Sequence, residues 1–188
     1  MPALRVLTYN VRYFGHATRG VASTGIAMRR IAEAIAGLDP VPDLICLQEV
    51  ETSSLRSNVA HPVSQPGQTQ LSRLADMLAD ALADPRICRR NETHGGYDAY
   101  YFPAHTYSGV GTPIYTTGLA VLAHKDFSIS AHNAHKPHDI THRKIHPVKR
   151  FKQTRICAHV RFHHRSGHSV DVFNTHLSLP TTLSRAFW

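Results

Sequence analysis

The pattern of apolar and polar positions divides the chain into alternating strand-like and helix-like stretches. Leu4 to Asn10 (LRVLTYN) predicts a strand that finishes in polar residues. A Gly- and Ser-containing loop, Gly15 to Gly25, leads to a helix over Ile26 to Leu38, with Ala27, Ile31, Ala34, Ile35 and Leu38 on one face and Ser23 or Thr24 as its cap. Asp39-Pro40-Val41-Pro42 breaks the chain, and Leu44 to Leu47 has the unbroken apolar run of a buried central strand, ending at Gln48-Glu49. After loop-like residues 51–68, Leu71 to Ala83 predicts a second amphipathic helix, with Leu71, Leu74, Ala75, Leu78 and Leu82 inward and Asp84-Pro85 closing it.

The second half is strand-rich. Tyr97 to Phe102, Gly118 to Ala123 and Phe127 to Ser130 predict strands, the middle one buried by composition. Arg155 to Phe162 alternates cleanly, with Ile156, Ala158, Val160 and Phe162 on one side and Arg155, Cys157, His159 and Arg161 on the other. A turn over His163 to Gly167 joins it to a partner strand, His168 to Phe173, which runs into Asn174-Thr175-His176. Thr181 to Trp188 carries no stop signal. With no internal repeat and no linker, the order predicts one mixed α/β domain, residues 1–188, with helices packed on sheet.

Polar residues gather where these strands finish: Asn10, Gln48-Glu49, and Asn174 with His176. Sites in layered α/β folds are commonly assembled from such loops. A carboxylate directly after an apolar strand, as Glu49 is, needs a cation or a solvated rim position. A hard cation such as Mg²⁺ or Mn²⁺ satisfies it, and so does an arginine or bulk water. Asn10 can accept from a metal-bound water and donate to a phosphate oxygen, or simply satisfy its own turn. His176, when protonated, can donate to a phosphoryl oxygen or a leaving group. It is one of 15 histidines, however. Asn174 suits a loop-orienting or turn-stabilising role.

Composition narrows the class. The 188 residues are 42% hydrophobic and 18% charged, which excludes a disordered chain. The formal net charge of +8 suits phosphate-rich partners such as nucleic acid, anionic headgroups or phosphorylated metabolites, although a basic surface without such a partner has the same composition. Cys46, Cys88 and Cys157 are too few and too widely spaced for a disulfide framework or a zinc motif. Cys46 and Cys157, inside apolar runs, are expected as small core residues in a reducing compartment. No transmembrane stretch or secretory leader is seen, so a cytoplasmic location is expected. Between His132 and Arg155, five histidines (His132, His135, His138, His142 and His146) interleave with seven Lys or Arg. The segment reads as a solvated basic loop, as a phosphate-binding arm, or, less well given its irregular spacing, as a histidine metal site.

The segments LRVLTYNVRYFG, DLICLQEVE, YTTGLAVLAHK and VDVFNTHLSLP, in that order, resemble successive motifs of the endonuclease/exonuclease/phosphatase superfamily, from about Leu4 to Pro180. That superfamily includes DNase I-like nucleases, abasic-site endonucleases, inositol polyphosphate phosphatases and sphingomyelinases. The resemblance implies a DNase I-like four-layer α/β/β/α sandwich, present here in part, and a phosphoesterase that hydrolyses a phosphodiester or phosphomonoester with a water nucleophile. It implies Mg²⁺ or Mn²⁺ on Glu49, with Asn10 beside the metal and the scissile phosphate. His176 would hydrogen-bond that phosphate, and Asn174 would support its loop. The expected partner is a phosphate-containing substrate, with nucleic acid among the candidates.

The sequence departs from the family in one respect. The family's later motifs are Asp-x-Asn, which orients the attacking water, and Asp-His. None of the nine aspartates here is followed by His or has Asn two places on. The domain is therefore expected to be incomplete at its C-terminal side, with Phe187 and Trp188 belonging to a covered surface. The isolated chain is expected to be inactive or nearly so, since the members of a catalytic set act as a unit. The alternative expectation is a non-catalytic remnant that binds polyanions or nucleic acid through its basic surface.

Overall fold

The computed structural model describes residues 4–12, 24–54, 69–88, 96–109, 112–141 and 154–177. The elements run β1 (Val6–Asn10), α1 (Thr24–Ala36), β2 (Leu44–Ser54), α2 (Gln70–Ala83), β3 (Tyr97–Gly109), β4 (Thr112–His124), β5 (Phe127–His132), β6 (His138–Asp139), β7 (Ile156–His164) and β8 (Ser169–Thr175).

Two four-stranded sheets result. The first has the order β1-β2-β4-β3, with β1 parallel to β2 and the other pairings antiparallel. A parallel pair needs a crossover, and α1 lies within it. The second sheet is built around β7. There β8 pairs along residues 157–163, while β5 pairs with 160–164 and β6 with 156–157. Since β8 fills one edge of β7, β5 and β6 share the other end to end.

Both faces of the first sheet are covered, which explains its unbroken apolar runs. Ile45, Leu47, Val50, Ala120 and Leu122 pack against Met28, Ala32 and Ile35 of α1 and Leu71, Leu74, Leu78 and Leu82 of α2. The opposite face, with Leu44, Cys46, Leu119, Val121 and Phe102, meets Phe127, Ile156, Ala158, Val160 and Phe162 of the second sheet. The alternation in β7 places one side of that strand in the sandwich, as its sequence predicts. Phe162 is fully buried, edge-on to Phe127 and Tyr100. Each such large side chain contributes about 1.5–3 kcal/mol by leaving water. The described residues form three layers, helices on sheet on sheet.

Several expectations are corrected in detail. The buried stripe of α1 is Met28, Ala32, Ile35 and Ala36, while Ala34 and Leu38 are exposed. The helix starts at Thr24 and stops at Ala36, so its inward face is turned by about one residue from the expected one, and Leu38 falls beyond its end. Ser23 lies outside the described residues. In α2 Leu71, Leu74, Leu78 and Leu82 of the expected face are buried and Ala75 is partly buried, and Thr69 and Ser72 form a reciprocal capping box at its start. β2 does not end at Gln48-Glu49 but continues to Ser54.

Cys46 is buried and its thiol is pushed up to about 11 by burial. Cys157 is only half-buried, because it lies on the outward side of β7, whereas Cys88 joins the core. All three are free thiols. His132, His135 and His138 lie exposed around the β5–β6 connection. His142, His146, Phe187 and Trp188 lie outside the described residues.

Candidate functional site

The site grows from an irregularity in β2. In the β2–β4 ladder Leu47 faces Ala120 and Val50 faces Gly118, so Gln48 and Glu49 together oppose the single residue Leu119. This is a β-bulge, and Glu49 accommodates it with φ 56°. Residues at left-handed φ without being glycine are uncommon and concentrate at functional positions. The bulge also changes the parity of the strand. Ile45 and Leu47 point to the helices, and without the bulge Glu49 would follow them. With it, Val50 takes the helix-facing place and Glu49 is turned into the cleft between the sheets.

Gln48 and Asn174 occupy the buried side of this bulge. Asn174, on the inward side of β8, donates from Nδ2 to the carbonyls of Leu47 (3.0 Å) and Ala120 (3.1 Å), the last ladder pair before the bulge. Its Oδ1 accepts from Gln48 Nε2 at 2.9 Å. Gln48 Nε2 also lies 3.0 Å from Thr8 Oγ1 and 3.2 Å from the Cys46 carbonyl. The two amides thus tie β1, β2 and β4 of one sheet to β8 of the other. Asn174 is 3% exposed and its amide is engaged within the protein.

β8 ends at Thr175, whose hydroxyl donates to the Ile156 carbonyl at 3.0 Å. The next residue, His176, stands over the cleft. Its Nε2 lies 3.5 Å from Glu49 Oε1 and 3.5 Å from Asn10 Nδ2, and its Nδ1 lies 3.0 Å from Arg155 Nη1. The Glu49 and His176 side chains are 22% and 27% exposed, partly dehydrated but open to a ligand. Burial, then the Arg155 charge, holds the His176 ring below its ordinary value of 6.5, against the opposing pull of Glu49. The lowering favours the neutral ring, which keeps one N–H to donate.

Of the two readings of Asn10, the turn is the one seen directly. Its Oδ1 accepts the Arg12 N–H at 2.9 Å, closing a turn, while its Nδ2 faces His176. Thr117, Gly118 and Thr154 complete the cleft walls. Gly118 is required there by space: a Cβ at this position would overlap the Phe102 carbonyl oxygen and crowd the Tyr101 hydroxyl.

The structure thus brings together Glu49, Asn10 and His176, and places Asn174 directly beneath them. Gln48 and Arg155 belong to the same assembly, although the sequence singles out neither by itself: Gln48 groups with the polar residues after an apolar run, and Arg155 with the basic segment 132–155. A polar residue directly after an apolar run was the available signal for Gln48. Nothing local marked Arg155 apart from its place at the head of β7. Among the described residues no three of His, Cys, Asp and Glu form a cluster able to hold a metal ion. Glu49 offers a carboxylate to the cleft, beside the walls that carry Thr117 and Thr154, whereas the Asn10 carbonyl is engaged by the Arg12 N–H; a single carboxylate suits a hard cation that keeps most of its water. Among the described residues no helix is long and apolar enough to cross a membrane.

No family model matches the sequence, and no curated protein matches it. Solved structures do match. One is an endonuclease/exonuclease/phosphatase from Beutenbergia cavernae DSM 12333, with TM-score 0.59 and 21% identity over 96% of this chain and 40% of that one. Another is an endonuclease/exonuclease/phosphatase from Bacteroides vulgatus, with TM-score 0.52 and 16% identity over 93% of this chain and 52% of that one. At these identities the likeness shows the fold, so the chain has the mixed α/β architecture of the DNase I-like, endonuclease/exonuclease/phosphatase proteins. It spans about half or less of the length of these two structures.

Proposed function

We propose that this fold houses a Mg²⁺- or Mn²⁺-dependent phosphoesterase site and that these residues supply the part of it that faces the cation and the phosphate. The observation that carries the proposal is the convergence at one cleft of Asn10, Glu49 and His176, the first and last 166 positions apart, with Glu49 turned there by a bulge. Glu49 would hold the cation through its carboxylate, with water completing the coordination. A cation in that place neutralises phosphoryl charge and makes its bound water a better nucleophile. Asn10 offers an amide N–H and His176 a ring N–H to phosphoryl oxygens, and Arg155 adds positive charge at the same cleft. Gln48 and Asn174 hold the two sheets in the register that keeps these groups together.

The sequence has no counterpart of the Asp-x-Asn and Asp-His pairs that the resembled family uses to orient and deprotonate the water. The 188 residues by themselves are accordingly proposed to bind the cation and phosphate while hydrolysing at background rates, full activity belonging to a domain that supplies those groups. Calorimetric titration of Mn²⁺ into the purified chain tests this. Glu49→Gln should lower the affinity about tenfold or more, and hydrolysis of a chromogenic phosphodiester should stay at background in both proteins. Unchanged Mn²⁺ affinity in the variant would remove Glu49 from the cation site. Mg²⁺-dependent hydrolysis by the wild-type chain, abolished by Glu49→Ala, would mean that the set is already complete.

The +8 charge and the placement of Arg155 in the cleft favour a second reading, a non-catalytic module that binds polyanions. It predicts oligonucleotide binding that weakens steeply with salt and is indifferent to divalent cations and to Glu49.

A further inference from the structure

We propose that Arg155 is the positioning residue of this site: its guanidinium, docked on Nδ1 of His176, fixes the ring as the Nε2–H tautomer, with that N–H aimed into the cleft.

A guanidinium has N–H donors and no acceptor. At 3.0 Å from Arg155 Nη1, the His176 Nδ1 must therefore be the acceptor, and the single proton of the neutral ring resides on Nε2. Nε2 is the atom that faces Glu49 Oε1 and the Asn10 amide, each at 3.5 Å. Asn10 cannot reverse this assignment, because the Arg12 N–H holds its Oδ1 and leaves its Nδ2 toward the ring. His176 Nε2–H and Asn10 Nδ2–H consequently face each other as two donors that cannot bond, with the Glu49 carboxylate oxygen the acceptor nearest to Nε2. An anionic oxygen entering between them would accept from both. In the opposite tautomer the ring would present a lone pair there and repel the same oxygen.

Arg155 is itself held in place. Its backbone N–H donates to Thr141 Oγ1 at 2.8 Å, and its carbonyl accepts the Ile140 N–H at 2.9 Å. On the other side, the Thr175–Ile156 hydrogen bond fixes the residue before His176 to the residue after Arg155. The guanidinium and the ring are thus delivered from adjacent positions of paired strands, so their contact is a product of the β7–β8 register.

The purpose of this donor rests on the phosphoesterase proposal, but the tautomer is read without substrate or cation. The experiment is a long-range ¹H–¹⁵N spectrum of the histidine-labelled chain at mildly alkaline pH, with the His176 signals assigned by their loss in His176→Asn. The expected pattern is a protonated Nε2 and an unprotonated, accepting Nδ1. Arg155→Met should convert it to a mixture of both tautomers, and Arg155→Lys, which retains a cationic donor, should restore much of the Nε2–H form. The side-chain amide signals of Gln48 and Asn174 report whether the fold survives. If they move in Arg155→Met, the wild-type pattern and Arg155→Lys decide the matter. A wild-type His176 protonated on Nδ1, or an intact Arg155→Met that keeps the wild-type pattern, would overturn the role. Failure of the Mn²⁺ titration with this tautomer preserved would remove the phosphoesterase reading and leave the role of Arg155 standing.

Discussion

Two groups of polar side chains sit back to back at the β2 bulge, and they are built in opposite ways. Gln48 and Asn174 are buried, and their amides are engaged by backbone carbonyls, by Thr8 and by each other. Glu49, His176 and Asn10 are partly exposed and approach one another only to 3.5 Å. A buried amide that fills every bond adds rigidity and has nothing left for a ligand. A looser group at a cleft keeps donors and acceptors in reserve. On the proposed function the first group supports the cleft and the second faces the ligand, although Gln48 and Glu49 are adjacent in sequence.

The sharpest way to break this division is Asn174→Ala. It would take the side-chain donor from the Leu47 and Ala120 carbonyls, at about 1–3 kcal/mol for each buried group left unsatisfied, while Gln48 Nε2 would keep the Thr8 hydroxyl and the Cys46 carbonyl. A loss of about 3 kcal/mol or more in urea denaturation is expected. A loss below about 1 kcal/mol would mean that water replaces the amide without cost and that the clamp is not structural. Gln48→Ala should cost less, about 2 kcal/mol, because Asn174 would keep its two backbone acceptors. The double variant should fall short of the sum, and strict additivity would uncouple the pair.

Replacements of Glu49 should behave in the opposite sense. A left-handed backbone favours glycine, so Glu49→Gly should be more stable than Glu49→Ala by about 0.5–1 kcal/mol, while on the proposed function both should lose Mn²⁺ affinity. Equal stability of the two would deny that strain is stored at the bulge. The smallest effect expected concerns pH. His176 titrates below 6.5 in the folded chain, so the unfolded chain takes up more protons in that range. Its contribution to stability is intact above 6.5 and is lost as the pH falls from there through the folded value. His176→Asn should flatten that part of the stability–pH curve, and an unchanged curve would place the ring in water.

The sequence made the three cleft residues legible because each follows a run of recognisable pattern (LTYN, LICLQE and VFNTH), although only Asn10 closes its strand, β2 running on past Glu49 and β8 ending one residue before His176. It made β7 legible because only one of its faces is buried. The bulge was not legible, since it exists only in the pairing with β4, and a polar pair after four apolar residues reads equally well as a strand end. Gln48 and Asn174 lie 126 positions apart, so neither carries a local trace of the other. The α1 stripe was misplaced because Ala27 and Ala34 offer the same small apolar surface as Ala32 and Ala36, and periodicity alone cannot rank them. Arg155 was counted with the polar side of an alternating strand. Its partner, His176, is reached only through the hairpin.

That hairpin also determines which changes of length the site can absorb. Its turn, around Arg165 to Gly167, lies at the end of β7 and β8 remote from Arg155 and His176, and Gly167 has open space about it. Residues added or removed in the turn would alter a surface loop and leave the Arg155–His176 pairing as it is. One residue added within either strand would slip the register and turn every following side chain to the other face. Asn174 would then leave the Leu47 and Ala120 carbonyls, and His176 would leave Arg155, in a single step. The sandwich can therefore drift in composition over much of its surface, whereas the spacing from Arg155 through the turn to His176 is fixed except at the turn itself.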